Sequence, residues 1–350
     1  MNDFRFGQLL FEIREDKIGL VGFGDSYFGD KLFANFVEIH IAGENKDRNL
    51  GSKMIASSEG RRLRYVSYII ENNNLVITQR NDLIEATTFF TKYNDTSAIK
   101  VYTSVKNISD RDIFIEEASS FVLTGICGGI TQTQNTFFYK FYQSHLNECQ
   151  PRKLSLFDMG FYESKRECQK SIRGINIGSW STKEELPQAI IEYNDSFLMF
   201  EIESNNSWFY ELSDISKQLY LYFSGANFPY GDFYKKLSNG ETFTTPTVCF
   251  ALSSSLNNVL GDMTVYRRKI KGRCLSDENL PVIFNEFMHL SWDQPNENTV
   301  YKMAKTVKEL GADYYVIDCG WHDNEPTNLY SYVGKWKESQ TRLPSGVRKV

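Results

Sequence analysis

Val282-Ile283-Phe284-Asn285, then a helix-compatible segment over 298–310 halted by Gly311, then Tyr314-Tyr315-Val316-Ile317-Asp318-Cys319-Gly320-Trp321: this order decides how residues 280–350 fold. Two short apolar runs separated by one helix length predict a βαβ unit, in which parallel strands are joined by a right-handed crossover. Such units carry their functional side chains at the carboxyl ends of the strands. Asn285 and Asp318 both fall there, so the spacing predicts that they point at one mouth. Trp321, three residues on, adds an indole to the acid. That combination suits a sugar, because a carboxylate accepts hydroxyl protons strongly and an aromatic face covers the C–H face of the ring.

Working outward toward the N-terminus, the chain up to about Leu260 has the rhythm of strands. Leu75-Val76-Ile77, the run from Ile99 to Val105, Ile113-Phe114-Ile115, Ala189-Ile190-Ile191 and the run from Leu198 to Ile202 are short, apolar or alternating. Polar turns part them at Glu71-Asn72-Asn73-Asn74, Asn107-Ile108-Ser109-Asp110, Ser204-Asn205-Asn206 and Ser238-Asn239-Gly240. Residues 1–262 therefore read as one large antiparallel β domain. Residues 263–279 read as a basic helical linker, with Arg267, Arg268, Lys269 and Lys271 on a solvated face. Residues 280–350 supply two strands, too few to close a barrel.

At 350 residues and 41% hydrophobic content the chain exceeds the size of most single cores, which predicts two domains. Aromatic residues reach 15%, as expected of strand-rich architecture. The net charge of −5 comes from well-mixed acids and bases with no basic stripe, so nucleic acid is not expected as a partner. Six cysteines show no Cys-x-x-Cys spacing, and four histidines lie scattered among them, which argues against structural zinc. The first twenty residues carry too many charges for a secretory signal, and no apolar window approaches the ~18 residues of a membrane helix. The expectation is a cytoplasmic protein with reduced thiols and no membrane partner. Ile126-Cys127-Gly128-Gly129-Ile130 lacks the Lys-Ser/Thr of a phosphate loop and reads as a crossing between strands. Trp180 and Trp208 read as core.

Several stretches resemble the family 36 glycoside hydrolases, the retaining α-galactosidases and their relatives. Tyr27-Phe28-Gly29-Asp30-Lys31-Leu32 is similar to an aromatic-Gly-basic-Leu stretch near the family's start. The stretch from Ser58 to Tyr65 resembles its Gly-Ser-Arg…Leu-Arg-Tyr, Val105 to Asp110 its Asn-x-(Ser/Gly)-Asp turn, and Leu237 to Pro246 its Gly-Glu-x-Phe-x-Thr-Pro segment. Asp318-Cys319-Gly320-Trp321 matches Asp-Asp-Gly-Trp, Gly334-Lys335-Trp336 matches Gly-Asp-Trp, and Leu343-Pro344-Ser345-Gly346-Val347 matches Phe-Pro-Asn-Gly-Leu. The family's Asn-(Ser/Thr)-Trp-Glu survives only in part, as Asn285-Glu286-Phe287-Met288.

The resemblance implies a β-supersandwich over 1–262, the linker over 263–279, and over 280–350 the first βαβ of an incomplete (β/α)8 TIM barrel. It implies hydrolysis of terminal α-linked galactosides in oligosaccharides by double displacement between two carboxylates. The family places that pair after the fourth and sixth barrel strands, so no catalytic residue is assigned within this chain, and residues 1–350 alone are expected to be inactive. Asp318 inherits the contact to the galactose C4 and C6 hydroxyls, while Trp321 and Trp336 inherit the pocket wall. Cys319 stands where the family has a second Asp, and a thiol is too weak an acceptor to replace it. Asn285 and His322 complete the substrate-binding set; His322 is preferred over His289 because it follows Trp321 directly. No metal or organic cofactor is implied, and the family suggests a homo-oligomer, a tetramer in many members. Two alternatives stay open. Cys319 and Lys335 point to a different α-galacto-sugar such as N-acetylgalactosamine, and a noncatalytic carbohydrate-binding or structural protein needs no carboxylate pair.

Overall fold

The structure is a computed structural model that describes residues 2–24, 33–45, 52–162, 168, 170–288, 294–322 and 333–350. The stretch from Tyr27 to Leu32, and His289, lie outside the described residues. The chain divides into two units, Met1–Ile270 and Lys271–Val350.

The first unit begins with β1 (Asn2–Phe6), β2 (Leu9–Arg14) and β3 (Lys17–Phe23), followed by β4 (Ile39–Ile41) and a single helical turn, α1 (Ser58–Arg62). Long hairpins follow: β5 (Arg64–Glu71), β6 (Asn74–Arg80), β7 (Ile84–Lys92), β8 (Ile99–Asn107) and β9 (Ile113–Ile126). Then come β10 (Thr136–Tyr142), β11 (Gln150–Ser155), β12 (Ile172–Asn176), β13 (Glu185–Tyr193), β14 (Ser196–Glu203), β15 (Trp208–Ile215) and β16 (Gln218–Gly225). Three shorter pieces, β17 (Lys235–Leu237), β18 (Thr242–Thr244) and β19 (Thr247–Ser253), lead into α2 (Leu256–Ile270).

β1 to β3 form a small sheet. A ten-stranded sheet runs β11-β10-β13-β14-β19-β8-β7-β6-β5 with β18 also on β8, and a six-stranded sheet runs β12-β15-β16-β9-β17 with β4 also on β9. Every pairing in them is antiparallel. Rings from both large sheets interlock in one core: Phe121 of β9 stacks on Phe250 of β19 at 5.6 Å and meets Phe90 of β7 edge-on at 5.4 Å, while Phe200 of β14 meets Phe223 of β16 at 4.8 Å. Such offset and edge-on pairs add about 0.5–1.5 kcal/mol each beyond their burial. The turns follow the expected chemistry. Asn72 and Asn194 take positive φ, 53° and 51°, in the two-residue turns closing β5–β6 and β13–β14, a conformation Asn tolerates better than most residues.

Two details differ from the sequence reading. The helix expected as a linker is α2, and it belongs to the first unit, whose limit falls after Ile270 rather than at 262. Val259, Met263 and Tyr266 recur at three- to four-residue spacing and are buried against Met199, Cys249 and Ala251 of β14 and β19. Arg267 reaches Glu201 and Gln188 at 2.7 and 2.8 Å, so a cation counted as solvated anchors the helix. Trp208 is core as expected, but Trp180 is 56% exposed. Gly128-Gly129 leads into a 3₁₀ turn over Gly129–Gln132.

The second unit holds α3 (Leu275–Asn279), β20 (Ile283–Asn285), α4 (Glu297–Glu309) and β21 (Tyr314–Val316). β20 and β21 pair in parallel, with Asn285 opposite Val316, so the βαβ order is present. Asn296 caps α4 by accepting from the Thr299 amide at 3.1 Å while the Thr299 hydroxyl returns the contact, and Gly311 at φ 90° lets the chain leave the helix. No helix among the described residues is long and apolar enough to cross a membrane, and the six cysteines form no disulfide.

Candidate functional site

The site is built where β20 and β21 end. The Asn285 side chain donates from Nδ2 to Asp318 Oδ2 at 2.6 Å and accepts the Phe287 amide on Oδ1 at 2.9 Å. Asp318 Oδ1 accepts the Cys319 amide at 2.7 Å. The two strand ends are thereby tied through their polar side chains. The Asn285 amide, followed by the Cys319 contacts, holds the Asp318 carboxyl below its ordinary pKa, so it is an ionised acceptor through the neutral range.

Gly320 at φ 96° turns the chain toward two indoles. Trp321 and Trp336 stack at 6.2 Å between ring centres with planes 18° apart. His322, buried, sets its ring edge-on to both, at 5.2 and 5.0 Å, and its Nδ1 meets no partner among the described residues. Trp336 is 58% exposed and sits at φ 47° after Gly334. The turn is held by two further bonds: the Ser339 amide donates to the Trp321 carbonyl at 2.7 Å, and Arg342 Nη1 to the Gly320 carbonyl at 3.0 Å. A stacked indole pair with Trp336 exposed, following an ionised carboxylate by three residues, offers groups that can cover a ring and bind its hydroxyls.

The structure thus joins Asn285 to Asp318, and Trp321 to His322 and Trp336. The thiol of Cys319 lies next to the acid, half-buried. Sequence reasoning missed Glu286 and Tyr315. The Glu286 side chain is buried, accepts the Tyr315 hydroxyl on Oε2, and leaves Oε1 without a partner among the described residues. Burial raises its pKa and Asp318 raises it further, against the opposing Tyr315 contact; the Tyr315 phenol is pushed up by burial and by Glu286. Period-two alternation could have found the pair, because Glu286 and Tyr315 share the face of the strands opposite Asn285 and Asp318.

Known proteins resemble this chain at two scales. Residues 242–350 match the Melibiase family model. The α-galactosidase AgaA of Geobacillus stearothermophilus is 29% identical over 118 residues, 33% of this chain and 16% of its own length; probable α-galactosidase C of Aspergillus terreus is 30% identical over 118 residues, 32% and 15%. Among solved structures, GH36 α-galactosidase AgaA from Geobacillus stearothermophilus in complex with 1-deoxygalactonojirimycin superposes with a TM-score of 0.74 at 14% identity, covering 99% of this chain and 53% of that one. The galactosidase domain of the α-galactosidase–sucrose kinase AgaSK gives 0.71 at 16%, covering 99% and 53%. The chain spans about half the length of these solved relatives. The fold is similar to theirs along nearly the whole chain, and the sequence similarity to α-galactosidases concentrates in its C-terminal third.

Proposed function

We propose that this chain is the β-supersandwich and the opening βαβ of the catalytic (β/α)8 barrel of a retaining α-galactosidase, and that the mouth at Asn285 and Asp318 holds the terminal galactose of an oligosaccharide. The observation that carries the reading is the Asn285–Asp318 bond at the carboxyl ends of two parallel strands, with the Trp321–Trp336 stack beside it. Asp318 accepts the protons of the C4 and C6 hydroxyls, Asn285 fixes its rotamer and keeps it ionised, and the indoles flank the sugar. Solved relatives in complex with raffinose and stachyose support α-galactoside oligosaccharides as the substrate class. No described residue is assigned to attack or protonate the glycosidic bond, so the function proposed for these residues is sugar binding.

Titration calorimetry of the chain with 1-deoxygalactonojirimycin and with D-galactose tests this. Asp318→Ala should weaken both about tenfold to a hundredfold, the worth of one or two charge-assisted hydrogen bonds, in a chain that still unfolds cooperatively. Wild-type binding should persist as pH falls toward about 4, because the Asp318 pKa lies below its ordinary value. Unchanged affinity in Asp318→Ala would remove the residue from the pocket. A second reading, a site for N-acetylgalactosamine, is favoured by Cys319 and Lys335, which replace two family acids; tighter binding of that sugar than of galactose would select it.

A further inference from the structure

Another cavity lies wholly within the first unit. β9 alternates, so Phe121 and Leu123 enter the main core while Val122 and Thr124 point to the other side of the six-stranded sheet. There they floor a cleft of about 300 Å³, walled by Phe33, Ile55 and Ile215. That volume sits at the lower end of the range for small-molecule sites, roughly 300–1,000 Å³.

The polar lining of this cleft consists of Asn35, Glu38, Arg61, Thr124 and Ser216. Thr124 is 4% exposed, and its hydroxyl meets no hydrogen-bond partner among the described residues. A buried hydroxyl left so costs about 1–3 kcal/mol, whereas valine would fill the same volume at no such cost. Glu38 also lines the cleft; its carboxylate is oriented by the Ala56 amide at 3.1 Å, the Ser57 amide at 2.8 Å and the Ser57 hydroxyl. Asn35 is fixed through its Nδ2, which donates to the Gly60 carbonyl at 2.8 Å. Arg61 stands exposed at the rim.

This chemistry selects among ligands. A wholly apolar occupant would leave the Thr124 hydroxyl unpaired, and an anion would meet the Glu38 carboxylate. An ammonium group has donors and no acceptor, so it would leave the Thr124 hydroxyl proton unmet. A neutral polyol satisfies the set: a hydroxyl both donates and accepts opposite Thr124, and a C–H face lies on Phe33, Ile55 and Ile215. We propose that this cleft of the β domain binds a neutral polyhydroxylated ligand of monosaccharide size, independently of the Asp318 mouth.

The test uses the Asp318→Ala chain, so that the first mouth does not report, with D-galactose, D-glucose and myo-inositol as probes. Saturable binding of at least one of them should move the methyl resonances of Thr124, Ile55 and Ile215. Thr124→Val should weaken that binding about tenfold while raising the thermal midpoint, because the unpaired hydroxyl is gone. Ala34→Phe, which fills the cleft from its wall, should abolish it and serves if the valine variant does not fold. No saturable binding, or equal affinity in both variants and the Asp318→Ala parent, would overturn the proposal. The difference between wild type and Asp318→Ala reads the first mouth separately.

Discussion

Two buried glutamates, one in each unit, differ in how their oxygens are met. In the first, Glu211 is filled: Oε1 accepts the Met54 amide at 2.8 Å and the Tyr220 hydroxyl at 2.6 Å, and Oε2 accepts Arg173 Nε at 2.7 Å. Close by in sequence, Asp214 takes Lys53 Nζ at 2.8 Å and the Cys168 amide at 3.1 Å. In the second unit, among the described residues, Glu286 has one oxygen used and one without a partner, and His322 Nδ1 has none. The apolar residues follow suit. The first unit closes its interior between two sheets, whereas Leu280, Ile283, Leu310 and Tyr314 stand more than half exposed in the second. Saturated buried charge marks architecture, and unsaturated polar groups beside an open face mark a place built to receive something.

The contrast can be broken most forcefully at Lys53. Lys53→Met strips the cation from a fully buried pair and leaves the Asp214 carboxylate stranded, which should cost about 3–5 kcal/mol in urea unfolding. A loss below about 1 kcal/mol would mean that the Cys168 amide alone carries the acid. Glu286→Gln should act in the opposite direction. The raised pKa means that the folded chain keeps a proton which the unfolded chain releases, so this carboxyl lowers stability as pH rises from the unfolded value, near 4.3, through the folded one. Glutamine cannot ionise, so the variant should gain stability relative to wild type as pH rises above about 4; a difference that stays flat with pH would show that the Glu286 pKa is not raised in the folded chain. The smallest effect is expected of Gly311→Ala, where nothing crowds the added methyl and the whole penalty is the left-handed backbone, about 1 kcal/mol in thermal unfolding.

How much of this was legible in the sequence depends on range. Leu75–Ile77, Ile99–Val105, Ala189–Ile191 and Leu198–Ile202 each lie inside a strand, because apolar alternation and Asn-rich turns are local signals. The βαβ order and the meeting of Asn285 with Asp318 were legible for the same reason, through strand ends and a capped helix. Sheet order was not: β8 pairs with β19, where Val101 faces Val248, and no local pattern specifies a partner so distant. The role of α2 was obscured because Arg267, Arg268 and Lys269 dominate its composition, while the three residues that bury it are spaced through the helix. Glu286 was overlooked because an acid beside a motif residue reads as solvated until its burial is seen.

The bond between Asn285 and Asp318 has a consequence for assembly as well as for ligands. Three-residue strands carry little information about how far one should slide along the other. Side chains alternate with a period of two, so a slip of one residue would bring the Glu286 side of β20 to the face of Asp318 and confront one carboxyl with another, while Asn285 would turn toward the ring of Tyr315. An amide can donate to a carboxylate and a second carboxylate cannot, so the repulsive alternative is disfavoured as the strands form. The contact that orients the proposed sugar ligand therefore also acts as a register pin, and the identity of residue 285 is constrained twice, once by the ligand and once by the alignment of the two strands.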